Sequence, residues 1–162
     1  MKIEYRNFYS SNLNQNMPFK IYGYAGKPML VFPSSGGSFH EYEDFDMIDA
    51  IWTYIENGEI TVYTVSSIDN ESWLNHDLHP HDKAVIHNNY DRYIIDEMLP
   101  LIKYHSNWQG GIISSGCSMG AYHAVNFYFH HPDAIDTCIA LSGIYDARFF
   151  TGGYMDQEVY LI

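Results

Sequence analysis

The chain has 162 residues, of which 46% are hydrophobic and 17% aromatic, and a formal charge of −12. That length and apolar content suit one globular domain spanning residues 1–162, and they exclude a disordered chain. The acidic balance repels nucleic acid and anionic membranes, and no stretch approaches the roughly 20 apolar residues of a membrane helix.

The opening segment Met1–Asn16 carries no apolar core of a signal peptide. Two cysteines, Cys117 and Cys138, are too few for a disulfide framework, so a reducing, cytoplasmic location is expected. No repeat, linker or charge block divides the sequence. Ile3–Tyr9 alternates like a half-buried strand, Phe19–Tyr24 reads as a second, and the Asn-rich Ser11–Asn16 turns between them as an edge hairpin. Met29–Phe32 is a short buried strand ended by Pro33-Ser34-Ser35-Gly36-Gly37. Phe45–Glu56 has helical spacing and is stopped by Asn57-Gly58, and Ile60–Val65 is a β-branched strand. A His-rich loop from Ser66 to His81 precedes a long predicted helix, Asp82–His105, capped by Asp82 and kinked or divided at Pro100. Gly111–Ser114 is then a strand, Met119–His130 a helix and Ile135–Leu141 a strand. This alternation predicts an α/β fold with a mostly parallel sheet after the antiparallel hairpin.

The chemistry concentrates at Gly116-Cys117-Ser118-Met119-Gly120, a G-x-S-x-G sequence between an apolar strand and a helix. A strand that reverses sharply into a helix needs small residues two before and two after its apex, and Gly116 and Gly120 supply them. Ser118 is thereby lifted to the carboxyl edge of the sheet, and the Met119 N–H, in the first helical turn, points to where an oxyanion would develop. The loop after Phe32 is a candidate source of a second N–H. The bland alternatives are a Gly-rich connection with an idle serine and an ordinary Gly-rich loop.

The loop after Phe32, Ser72-Trp73 ahead of the long helix, Tyr90-Asp91-Arg92-Tyr93 within it, Gly116–Gly120 and Ser142–Asp146 together resemble the esterase D, or putative esterase, family of α/β-hydrolases. That family includes carbohydrate and feruloyl esterases, S-formylglutathione hydrolases and mycolyltransferases. The resemblance implies a three-layer α/β-hydrolase-like sandwich, with Ser118 as the acyl-accepting nucleophile. It also implies an oxyanion hole made by the N–H of Met119 and that of Ser35 or Gly36, and no metal or organic cofactor.

Such hydrolases also need a base for the serine proton and an acid to orient it. In the resembled family these lie on later strands, and only 44 residues follow Ser118, so the sequence reads as C-terminally short. His123 lies roughly 140° around the helix from Ser118, and His130 and His131 lie roughly 18–20 Å along it, so none is expected to reach the hydroxyl. Two fallback candidates are Asp146 as acid, the alternative being a turn or cap aspartate, and His40 as base, the alternative being a surface histidine. His76, His79 and His81, with His87 beyond, form a metal-like cluster without helical pairing, for which a solvated loop is the simpler reading.

The expected function is a serine esterase-type hydrolase acting on a small, neutral acyl ester, with a sugar ester as one option. The rival is a truncated, catalytically impaired homologue that serves as a binding or assembly domain, and a metal-binding loop is a third reading. A sheet that stops after Ile135–Leu141 leaves an exposed edge, from which homo-oligomer formation is expected.

Overall fold

The computed structural model describes residues 2–162. Strands β1 (Ile3–Ser10) and β2 (Gln15–Tyr22) pair antiparallel, with Ile3 opposite Tyr22 and Ser10 opposite Gln15. Their turn closes where the Leu13 N–H donates to Ser10 Oγ at 3.1 Å. Four further strands follow: β3 (Lys27–Phe32), β4 (Ile60–Val65), β5 (Ile112–Cys117) and β6 (Ile135–Leu141). The sheet order is β1-β2-β4-β3-β5-β6. β4, β3, β5 and β6 run parallel to one another, and β2 meets β4 antiparallel. The fold is α/β, as the alternation of elements predicts.

Period-two side chains on β3 divide the core between two faces. Leu30 and Phe32 join Phe19, Tyr63, Tyr90, Tyr93, Ile94 and Phe127 on one side. Met29 and Val31 join Tyr22, Tyr42, Ile48, Ile55 and Val62 on the other. The first face is covered by α4 (Pro80–Arg92), α5 (Leu99–Ser106) and α6 (Met119–His130). The second is covered by α1 (Glu41–Asp44), α2 (Met47–Ala50) and α3 (Trp52–Glu56). At the edge strand β6, Ile139 and Leu141 remain exposed.

Several boundaries differ from the sequence reading: β2 begins at Gln15 rather than Phe19, β3 begins at Lys27 rather than Met29, β5 runs on to Cys117 rather than ending at Ser114, and the helices differ as follows. The single helix expected over Phe45–Glu56 is instead two short turns, α2 and α3, which begin after Asp46 at φ 57° and are separated where Ile51 leaves helical ψ. The long helix is not kinked at Pro100 itself. Six residues before α5, Tyr93–Met98, widen into a π-helical turn, and Pro100 then sits in the first turn of α5, where its missing N–H costs nothing. That helix also begins earlier, at Pro80, and its cap is His79, which accepts the His81 N–H, rather than Asp82.

The last segment turns back onto the body. α7 (Arg148–Thr151) and α8 (Gln157–Tyr160) follow β6, and Asn88 of α4 donates to Glu158. Val159 is buried with Trp73, Ala84 and Met119, so part of the apolar ending is covered, although Tyr160 and Leu161 stay exposed. No helix among the described residues is long and apolar enough to cross a membrane.

Candidate active site

β5 runs into α6 with a single residue between them, and the chain can reverse there only by straining that residue. Ser118 takes φ 55° and ψ −116°, a left-handed conformation that costs a side-chain-bearing residue about 1–3 kcal/mol. The glycines on either side have steric reasons. A Cβ on Gly116 would lie 2.8 Å from the Gly120 Cα, and one on Gly120 would lie 2.5 Å from the Pro33 carbonyl oxygen. The turn is tied to the sheet by the Ser118 N–H, which donates to the Leu141 carbonyl at 2.9 Å. Ser114 Oγ donates to the Ala124 carbonyl at 2.9 Å and joins β5 to α6.

Ser118 opens into a cleft of about 370 Å³. Its apolar lining comes from Phe32, Tyr42, Phe45, Met47 and Leu141, and its polar lining from Ser34, Ser35, Glu41, Cys117 and Ser118. Glu41 is the only charged side chain among these, so the cleft favours neutral, partly apolar ligands over anions. Cys117 is a free, exposed thiol beside the serine.

The loop after β3 lies against the first turn of α6, with Ser35 Oγ 3.8 Å from Met119 Sδ. Its N–H groups are almost all committed. The Ser34 N–H donates to Glu41 Oε1 at 2.6 Å, the Gly36 N–H to Asp69 Oδ2 at 3.3 Å and the Gly37 N–H to the Ser34 carbonyl at 2.9 Å. Among the described residues, the N–H groups of Ser35 and of Met119 are left without an acceptor. The sequence left Ser35 and Gly36 as equal candidates; of the two, the Gly36 N–H already has an acceptor and the Ser35 N–H does not.

No histidine lines the cleft among the described residues. His40 Nδ1 lies 2.5 Å from Asp44 Oδ2 at the surface, which follows from their i,i+4 spacing. His123 is buried and turned away, with Nε2 2.8 Å from Asp69 Oδ1. His131 meets Asp91 at 2.9 Å. Asp146 is an exposed turn residue that accepts the Arg148 N–H and pairs with the Arg148 guanidinium, which holds its carboxyl down at about 2. In the His-rich loop, His79 caps α4 and His81 pairs with Asp156 at 2.7 Å. Among the described residues no three His, Cys, Asp or Glu side chains gather to hold a metal.

Sequence reasoning missed Asp69 and Glu41, the two carboxylates that hold the loop. Asp69 is the more unusual: burial works to raise its pKa, yet the charge and hydrogen bond of His123 and the Gly36 N–H keep it below the ordinary carboxylate value. The one available signal was topological. Asp69 follows β4, whose carboxyl end adjoins that of β3.

Among solved structures the chain is similar to an S-formylglutathione hydrolase from Staphylococcus aureus, with 14% identity, a TM-score of 0.67, and 98% of this chain and 66% of that one covered. It is also similar to a ferulic acid esterase from Anaeromyces mucronatus, with 12% identity, a TM-score of 0.72 and coverages of 90% and 60%. A third similar structure is MPT51 from Mycobacterium tuberculosis, with 17% identity, a TM-score of 0.67 and coverages of 93% and 55%. The chain therefore spans only 55–66% of the length of these three proteins. No curated protein matches it. The family model described as putative esterase matches residues 10–157, nearly the whole sequence, and the chain belongs to that family.

Proposed function

We propose that the chain is a serine esterase-type hydrolase for small acyl esters, sugar esters included, with Ser118 as nucleophile. The observation that carries this reading is the strained apex at Ser118, which opens into the cleft beside two N–H groups without acceptors. Ser118 Oγ attacks the ester carbonyl carbon and its proton passes to a base. The carbonyl π pair moves onto oxygen, and that oxyanion is held by the Ser35 and Met119 N–H groups, with the positive end of α6 behind the latter. Collapse breaks the ester C–O bond, the base returns the proton to the departing oxygen so that it leaves as the alcohol, and water then cleaves the acyl-enzyme to the carboxylic acid and restores the Ser118 hydroxyl. The apolar lining suits an acyl chain or ring, and Glu41 disfavours anionic esters.

Hydrolysis of p-nitrophenyl acetate and of acetylated sugars by the wild type and Ser118→Ala tests this. Turnover that disappears in the variant supports it, and equal turnover in both overturns it. One observation favours a second reading, a cleft that binds esters without turning them over: no imidazole lines it among the described residues. Saturable ester binding by a folded protein that never acylates would select that reading.

A further inference from the structure

Asp69 and His123 form a polar pair inside the protein that the proposed chemistry does not use. Each side chain is 1% exposed, and Asp69 Oδ1 and His123 Nε2 are 2.8 Å apart. A buried carboxylate is costly, and replacing such a pair with apolar residues is often neutral or stabilising, so stability alone does not account for it. Its position is more informative. His123 stands one turn beyond Met119 on α6, Asp69 lies in the loop after β4, and the second oxygen of Asp69 accepts the Gly36 N–H in the loop after β3. The pair thus ties α6 to the loops after β4 and β3 at the carboxyl edge of the sheet.

We propose that Asp69, held by His123, is a positioning residue that aims the Ser35 N–H at the oxyanion site. This rests on the reading of Ser118 as nucleophile. Ser35 is flanked by two residues whose N–H groups are each held by a carboxylate: Ser34 by Glu41, and Gly36 by Asp69. Gly36 turns the chain at φ +64°, where a Cβ would lie 2.7 Å from Asn70 Oδ1, so the loop cannot easily take another course. The His123 ring cannot swing away either. It stacks on His87 at 5.5 Å and packs against Phe32 at 5.8 Å and Tyr90 at 5.6 Å. With both neighbours of Ser35 fixed, its N–H, the one without an acceptor between Ser34 and Gly37, is held in a set place beside the cleft that Ser35 lines. A donor displaced by about 1 Å loses much of its effect, up to roughly a hundredfold in rate.

The test uses the wild type, Asp69→Ala and Asp69→Asn, with Ser118→Ala as the blank. Asp69→Ala is expected to lower kcat for p-nitrophenyl acetate, and the rate of fluorophosphonate labelling, by about ten- to a hundredfold, with KM within about threefold, because the oxyanion exists only in the transition state. Asp69→Asn keeps an oxygen for Gly36 while its amide can donate to His123, and is expected to stay within about fivefold of wild type. A purely structural role would lower the melting temperature without this split between kcat and KM, or without rescue by Asn. Asp69→Ala that labels and turns over like a reactive wild type overturns the proposal.

A wild type that does not label at all overturns the nucleophile reading instead, and with it the oxyanion role. Amide exchange in the wild type gives a further readout if the variants do not fold. The Gly36 N–H should be protected at least tenfold relative to that of Ser35, and equal exchange at the two amides overturns the proposal.

Discussion

Gly120→Ala sets two effects of opposite sign against each other. Intrinsic helix propensity favours alanine by up to about 1 kcal/mol, so on propensity alone the variant should be more stable. Packing says the reverse. The new Cβ would lie 2.5 Å from the Pro33 carbonyl oxygen and closer still to that of Phe32. An ordinary carbon–oxygen contact is about 3.3 Å or more, so α6 must retreat from the end of β3 by about 1 Å. Overpacking of this kind costs about 1–3 kcal/mol. A retreating α6 also loosens Ala121, Ala124 and Phe127, all 0% exposed, which raises the loss to about 3–4 kcal/mol. The net expectation is a loss of about 2–3 kcal/mol, which for this size lowers the melting temperature by about 4–12 °C. Urea and thermal midpoints read stability, and fluorophosphonate labelling reads the displacement of Ser118, which should slow more than tenfold. A variant with a raised midpoint and unchanged labelling would refute the close approach of β3 and α6.

Phe127→Ala removes a fully buried ring that stacks on Phe32 at 5.0 Å, and should cost about 3–5 kcal/mol in urea denaturation. His87 is completely buried, and burial first, then the positive charge of neighbouring histidines, pushes its pKa down to about 3. The unfolded chain takes up a proton near the ordinary value of about 6.5 that the native chain refuses until far lower pH. Stability from this group is therefore complete above about pH 6.5 and declines as pH falls toward 3, by at most about 1.4 kcal/mol per pH unit. Between pH 7 and pH 5 the wild type should lose about 2 kcal/mol more than His87→Gln, and parallel pH profiles would contradict this. Asp146→Ala should change neither melting temperature nor ester turnover, because its ion pair with Arg148 lies at the solvent-exposed surface; a loss of turnover would return it to the site.

The sequence made some elements plain and left others hidden, for physical reasons. β4, β6 and α6 were legible to the residue, because β-branched runs and a Gly-flanked serine at a helix start are local signals. The interruption of the 45–56 segment at Ile51 was not legible, since it goes with the packing of Ile48 and Ile55 into the cluster of Tyr22 and Met29, which local spacing does not reveal. The π-helical turn before Pro100 was half visible: proline announced a disturbance, and tertiary packing of Tyr93, Ile94 and Met98 decided where it fell. In the candidate site, the place of Ser118 at the apex of the strand-to-helix turn, with Met119 opening α6, followed from spacing alone. That the Gly36 N–H is committed and the Ser35 N–H is not depended on Asp69, which is 33 residues from Gly36 along the chain and carries no motif. His123 showed the limit of helical-wheel reasoning: its angle correctly turned it from Ser118, but said nothing about the carboxylate it turns toward.

Mapping the fluorophosphonate adduct by peptide mass spectrometry tests the central claim most directly. The account predicts one modified residue, Ser118, and no adduct in folded Ser118→Ala. An adduct on any other residue, or a folded wild type that remains unmodified under conditions that label known serine hydrolases, would contradict it.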